Sequence, residues 1–159
     1  MGLELLIELL SIVVLLLLSA FFSGSEIALF SVNKVEVRHL KQEGDARAKI
    51  VDRLLSKPDR LLATILVGNN LVNVAAPSLF TKICTDIFGP ARGVAIATGA
   101  MTVLLLVFGE TTPKSWANKR PLDFSLAVAK PIEICYYLFY PAVVILNFIS
   151  RLTTGGEKN

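Results

Sequence analysis

The sequence is short of charge. Asp, Glu, Lys and Arg make up 18% of its 159 residues, against 53% hydrophobic ones, and the mean hydropathy is +0.62. A soluble domain carries about 25% charged residues, so this shortage excludes ordinary soluble composition and points to a bilayer. Histidine occurs once, at His39, and cysteine twice, at Cys84 and Cys135, in separate apolar stretches. Three such scattered ligands cannot close a tetrahedral zinc site, and the cysteines read as packing residues. His39 lies in a polar segment away from Ser23 and Ser25, which leaves those serines no base for intramembrane hydrolysis, so no enzyme is expected. The net charge is only +3, with half of the basic residues gathered in one loop. That pattern is a topology signal rather than a nucleic-acid footprint. Glu4 and Glu8 lead the first apolar run with no Lys or Arg before it, the wrong sign for a secretory signal.

What is present is organised by apolar runs of spanning length. The first, Ile7 to Phe30, predicts a transmembrane helix interrupted in its inner half by Ser19, Ser23, Gly24, Ser25 and Glu26. From Ser31 to Arg60 the chain turns basic, and Val32, Val35, Val37, Leu40, Ile50, Val51, Leu54 and Leu55 are spaced as on two amphipathic helices turning at Gly44. Positive-inside bias puts this helical hairpin in the cytoplasm. A second span is expected from Leu61 to Phe88, a tight external turn at Gly89-Pro90, and a third span from Gly93 to Phe108. Lys114, Lys119 and Arg120 then return the chain to the positive side, which places the N-terminus outside and the C-terminus in the cytoplasm of a multi-pass plasma-membrane protein. The run Ile132 to Ser150 is just long enough for a fourth crossing, but its tyrosines Tyr136, Tyr137 and Tyr140, Glu133, the internal Pro141 and the basic residues at both ends favour a helix lying in the interface.

Polar groups at membrane depth mark either an ion path or an interhelical contact. Ser19 and Ser23 share a helix face, and Gly24 beside them permits close approach of another backbone. Alone, they read as packing residues or as hydroxyls bonded back one turn. Gly68-Asn69-Asn70 is followed by Asn73, with Asn70 and Asn73 on one face, and Pro77 takes the helix partner from the Asn73 carbonyl, predicting a kinked or unwound helix there. Pro113 likewise frees the Gly109 carbonyl beside the carboxylate of Glu110, whose competing partner at helical spacing is Lys114. Hydroxyl, amide, carbonyl and carboxylate oxygens are hard donors, suited to Mg²⁺, Ca²⁺ or Na⁺. Broken helices meeting near the midplane are a common construction of transport sites.

Three strings, Phe22-Ser23-Gly24-Ser25-Glu26-Ile27-Ala28-Leu29, Leu66-Val67-Gly68-Asn69-Asn70 with Asn73, and Phe108-Gly109-Glu110-Thr111-Thr112-Pro113-Lys114, follow one another in an order and spacing that resembles the transmembrane domain of the CorC and cyclin-M (CNNM) magnesium transporters. The resemblance spans Leu9 to Leu152. It implies an all-α membrane fold: a homodimer with three transmembrane helices, a cytoplasmic hairpin and a juxtamembrane belt helix per protomer. It implies a domain over residues 1–152 and a linker stub over 153–159 leading to cytoplasmic CBS domains absent here, so ATP binding is not expected. It implies Mg²⁺ as the transported ion, exported, with Na⁺ as the coupling ion. For the ion site it implies side-chain oxygens from Ser19, Ser23, Asn70 and Glu110, and carbonyls from Gly109 and Leu66 or Gly68, with Asn69, Asn73 and Ser25 as second choices. The competing expectation is a membrane anchor or cation sensor whose polar clusters only join the two subunits and whose activity lies in the absent cytoplasmic domains.

Overall fold

The computed structural model describes residues 2–153, which are helical except for short connections of one to three residues: α1 Gly2–Ser31, α2 Lys34–Gln42, α3 Ala46–Leu55, α4 Pro58–Phe88, α5 Pro90–Leu104, a π-helical segment Leu105–Thr111, α6 Thr112–Lys119, α7 Pro121–Leu138 and α8 Tyr140–Thr153. Of the expected linker, Thr153 ends α8, and residues 154–159 lie outside the described residues.

Among the described residues three helices are long and apolar enough to cross a membrane: α1, α4, and the continuous run Pro90–Lys119 formed by α5, the π segment and α6. Their outward sides carry Leu17, Leu71, Val103 and Phe108 in the open. In water such a surface would be an aggregation liability, and in a bilayer it is the solvated side. The protein is therefore a multi-pass membrane protein. The interior holds two apolar clusters. One gathers Leu29, Leu61 and Ile65 of the spans with Val37, Val51 and Leu54 of the hairpin and Ala129 and Ile132 of α7; the other joins Ile12, Ala76, Ile83 and Met101 toward the opposite end.

The basic segment folds as its pattern predicts. Val37, Ile50, Val51 and Leu54 are buried, although Val35 faces solvent. Asn33 caps α2 through Val35 N–H, and Asp45 caps α3 through the N–H groups of Arg47 and Ala48. Hydrogen bonds from the Arg47 side chain and backbone hold the Asp45 carboxyl below its usual range. Gly44 turns the chain at φ +95°, and Lys41 Nζ meets Asp52 Oδ2 at 2.6 Å across the hairpin.

Three expectations need correction. Of the kinked or unwound helix expected at Pro77, unwinding does not occur: α4 is helical throughout Pro58–Phe88; one lost hydrogen bond is tolerable where α1 and α5 pack along the helix. The third span does not end at Phe108. It continues to Lys119 by widening to π geometry over Leu105–Thr111, so the mismatch created by Pro113 is absorbed inside the helix rather than ending it. The apolar run Ile132 to Ser150 is not one helix: α7 starts at Pro121, and α7 and α8 meet at Phe139 with a bend of 67°. Pro141, in the first turn of α8, has no N–H to extend α7. The pair amounts to a fourth crossing only if taken as one broken span.

Gly89, at φ +82°, is the single residue between α4 and α5, and Pro90 starts the new helix. The hairpin is so tight that a Cβ on Gly93 would lie 2.5 Å from Thr85 Cα, whereas one on Gly99 would meet nothing within 4 Å. Gly93→Ala is expected to destabilise the protein by about 1–3 kcal/mol, since backbone must move. Gly99→Ala is expected to be neutral or stabilising by about 0.5–1 kcal/mol. Thermal melting in one detergent tests the pair, and equal effects would contradict the packing described.

Candidate functional site

α1 and α4 run antiparallel, and three polar contacts fix their register. Glu8 pairs with Lys82, Ser19 Oγ donates to Asn73 Oδ1 at 2.8 Å, and Ser23 Oγ donates to Asn69 Oδ1 at 3.4 Å. Residue numbers rise along α1 as they fall along α4, which is the ladder that two i,i+4 rows make when antiparallel helices face each other. Between the serines, Phe22 projects its ring onto Gly68, where a Cβ would lie 2.4 Å from ring carbons. Gly68 therefore supplies close packing on this seam. On the other side of α1, Gly24 leaves room for the Phe124 ring of α7.

The π segment closes the third side. A Cβ on Gly109 would come 2.7 Å from Ser19 Oγ, so this backbone lies directly against the serine hydroxyl. One residue on, Glu110 Oε1 accepts from Asn73 Nδ2 at 3.3 Å. Ser19, Asn73 and Glu110 thus form a directed chain, hydroxyl to amide to carboxylate, beside the Gly109 peptide. Pro113 has no N–H to give the Gly109 carbonyl in the α-helical register, and the segment takes π geometry there instead. Asn73 lies midway along α4, fifteen residues from each end, or about 22 Å at 1.5 Å per residue. The seam sits between the two apolar clusters, with Ser19 and Ser23 fully buried and Glu110 and Asn73 half-buried.

Several sequence expectations meet here and others do not. Ser19, Ser23, Asn69, Asn73, Gly109 and Glu110 come together. The reading of the serines as bonded back one turn fails for Ser19 and Ser23 but describes Ser25, whose hydroxyl donates to the Phe21 carbonyl at 2.6 Å. Lys114 does not pair with Glu110: it reaches Glu26 Oε2 at 3.4 Å, because the extra residue of the π turn shifts positions four apart off a common face. Asn70 is exposed on α4, outside the hydrogen-bonded chain and without a side-chain hydrogen bond among the described residues, and Leu66 is likewise exposed. The sequence put Asn70 ahead of Asn69; the structure gives the contact to Ser23 to Asn69. Among the described residues no group of three or more His, Cys, Asp and Glu side chains is assembled. The donors gathered are neutral oxygens around one carboxylate, which favours a hard cation over zinc or copper.

Comparison with known proteins adds a lineage. The cyclin M transmembrane N-terminal domain matches residues 10–159. The chain is 42% identical over 135 residues to the UPF0053 inner membrane protein YfjD of Escherichia coli, covering 85% of this chain and 31% of that protein. It is 41% identical over 140 residues to a UPF0053 protein of Haemophilus influenzae, covering 88% and 33%. It is 29% identical over 164 residues to the polyamine export protein of the same organism, covering 96% and 38%. The chain spans about a third of the length of the first two relatives.

The seam predicts a coupling that can be measured. In a double-mutant cycle of Ser19→Ala and Asn73→Ala, the interaction is expected at about 0.6–1.7 kcal/mol, the range for polar pairs between membrane helices. A cycle pairing Ser19→Ala with Asn70→Ala is expected to give none, and coupling to Asn70 rather than Asn73 would contradict the register.

Proposed function

The chain belongs to the family of cyclin M transmembrane N-terminal domains, and from that membership we propose that it moves Mg²⁺ across the membrane through the seam between α1, α4 and the π segment. The observation that carries the reading is the convergence of Ser19, Asn73, Glu110 and the Gly109 backbone at mid-span. Mg²⁺ gives up water reluctantly and is held by one or two carboxylates together with neutral oxygens and retained waters. Glu110 supplies the charge. The Ser19 and Ser23 hydroxyls, the Asn73 amide oxygen and the Gly109 carbonyl supply the dipoles. Asn70, three residues before Asn73 and unengaged, adds a further amide within reach of the same stretch of α4. In this account Gly68 serves packing, the Ser25 hydroxyl is taken up by the Phe21 carbonyl, and Leu66 lies on the exposed side of α4.

The proposed cycle has cytoplasmic Mg²⁺ enter between the helices, exchange part of its water for these oxygens, and leave outward when the spans tilt. Export and an inward Na⁺ gradient as the drive follow from the family resemblance. So do the homodimer, the wrapping role of α7 and α8, and the continuation into cytoplasmic CBS domains. The placement of the Lys34 to Arg60 hairpin in the cytoplasm, with the N-terminus outside, rests on its positive charge.

A relative named for polyamine export raises a second cargo. A polyamine is a long chain of ammonium groups and calls for several separated carboxylates. The seam gathers one carboxylate with hard neutral oxygens, which favours a compact cation. A membrane anchor or sensor would need the same hydrogen bonds only as glue between helices.

Flux measured in proteoliposomes separates these readings. Glu110→Ala is expected to abolish Mg²⁺ movement while the melting temperature shifts by only a few degrees. Asn70→Ala, which removes no hydrogen bond within the chain, is expected to cut the flux at least about tenfold, the loss of roughly 1.4 kcal/mol of ion stabilisation, with unchanged stability. Undiminished flux in Glu110→Ala would remove the site, and spermidine flux in place of Mg²⁺ would transfer the seam to the other cargo.

A further inference from the structure

At the mouth of the second span, α3, the start of α4 and the last turns of α7 enclose a cavity of about 170 Å³, lined by Arg53, Lys57, Arg60, Glu133, Tyr136 and Tyr137 among others. Its charges are not balanced. Arg53 Nη2 meets Glu133 Oε1 at 3.0 Å, which accounts for the one carboxylate in the lining. Lys57 has no hydrogen bond or ion pair from its side chain among the described residues and is exposed. Arg60 lies against two tyrosines, 5.6 Å from the Tyr136 ring centre and 4.4 Å from that of Tyr140, and donates one N–H to the Tyr136 hydroxyl at 3.4 Å. Stacking fixes the guanidinium plane, and of its five N–H groups those not turned to Tyr136 and Tyr140 remain for an anion.

We propose that this cavity binds the headgroup of an anionic phospholipid, with the phosphodiester on Lys57 and Arg60 and the acyl chains along the apolar surface of α7 and α8. The depth fits: Lys57 caps α4 and Arg60 is its third residue, so both stand where a span leaves the hydrocarbon, and clustered tyrosines mark the same level. Basic pockets beside spanning helices suit phosphate headgroups. The surface for chains is on the same elements, since Leu138 on α7 and Phe148 and Ile149 on α8 are exposed. A zwitterionic headgroup fits less well, because its ammonium would need a carboxylate and Glu133 is already paired with Arg53. The site is independent of the cargo of the central seam. It would hold the bend of α7 and α8 against the root of α4, the helix that carries Asn69 and Asn73.

The test is lipid binding to the purified chain in a neutral detergent, read by native mass spectrometry, with phosphatidylglycerol, phosphatidylcholine and inorganic phosphate as separate probes. Phosphatidylglycerol is expected to bind in preference to phosphatidylcholine. Lys57→Ala is expected to weaken it about fivefold, corresponding to roughly 1 kcal/mol per basic residue near an anionic surface. Since the Lys57 side chain makes no hydrogen bond or ion pair among the described residues and its backbone bonds survive in alanine, this variant reports the charge rather than unfolding. Equal binding of both lipids, or no change in Lys57→Ala, would overturn the proposal. Displacement of phosphatidylglycerol by inorganic phosphate at comparable concentration would overturn the lipid as the ligand and leave a phosphate site.

Discussion

Polar side chains half-way through a bilayer have no water to fall back on, and the pairing of Ser19 and Ser23 with Asn73 and Asn69 is what that constraint produces here. Each of these two hydroxyls finds an amide on α4, and the register that satisfies one pair satisfies the other. With the two helices fixed, the π segment is obliged to bring Gly109 onto Ser19 and Glu110 onto Asn73. A slip of α1 against α4 by one turn would strand two hydroxyls and two amides in an apolar interior at once. Individual pairs of this kind contribute only about 0.6 kcal/mol on average. Their larger role is to choose one alignment among the many that apolar helices in lipid would accept.

Glycine and proline convert that alignment into an arrangement of oxygens. Gly68 admits the Phe22 ring, Gly24 admits that of Phe124, and Gly109 lets its own backbone reach a buried hydroxyl. Pro113 withholds a donor from the Gly109 carbonyl, and the helix accommodates this by widening rather than stopping. The result is a carbonyl and a carboxylate presented by a continuous span. That differs from two half-helices meeting end to end, yet it exposes the same kinds of ligand.

Much of this was legible in the amino acids. Gly44 and the Gly89-Pro90 step mark turns because only particular backbones pass there, and the alternation of charge and apolar residues from Ser31 to Arg60 gives the hairpin. Asn70 against Asn69 could not be decided in the same way. At 100° per residue they flank Asn73 by about 60° on one side and about 40° on the other, so the choice depends on how α4 is rotated in the bundle, which is a property of packing. The partner of Lys114 was hidden for a related reason, since the four-residue rule that points to Glu110 assumes an α-helix through Pro113. Phe139, where α7 gives way to α8, carries no breaker of its own; the signal was Pro141 two residues later, read as internal to one helix. The contact of Arg60 with Tyr136 and Tyr140 joins residues more than seventy positions apart and had no local trace.

The account stands or falls on whether a hard cation sits among the oxygens of the seam. The most direct measurement is a crystal structure with Mn²⁺ in place of Mg²⁺, located by its anomalous scattering. The account predicts a peak between Ser19, Glu110 and the Gly109 carbonyl at inner-sphere distances of about 2.1–2.2 Å. A peak confined to the acidic residues Glu4, Glu8 and Asp86 at the opposite end, with none at the seam, would contradict it.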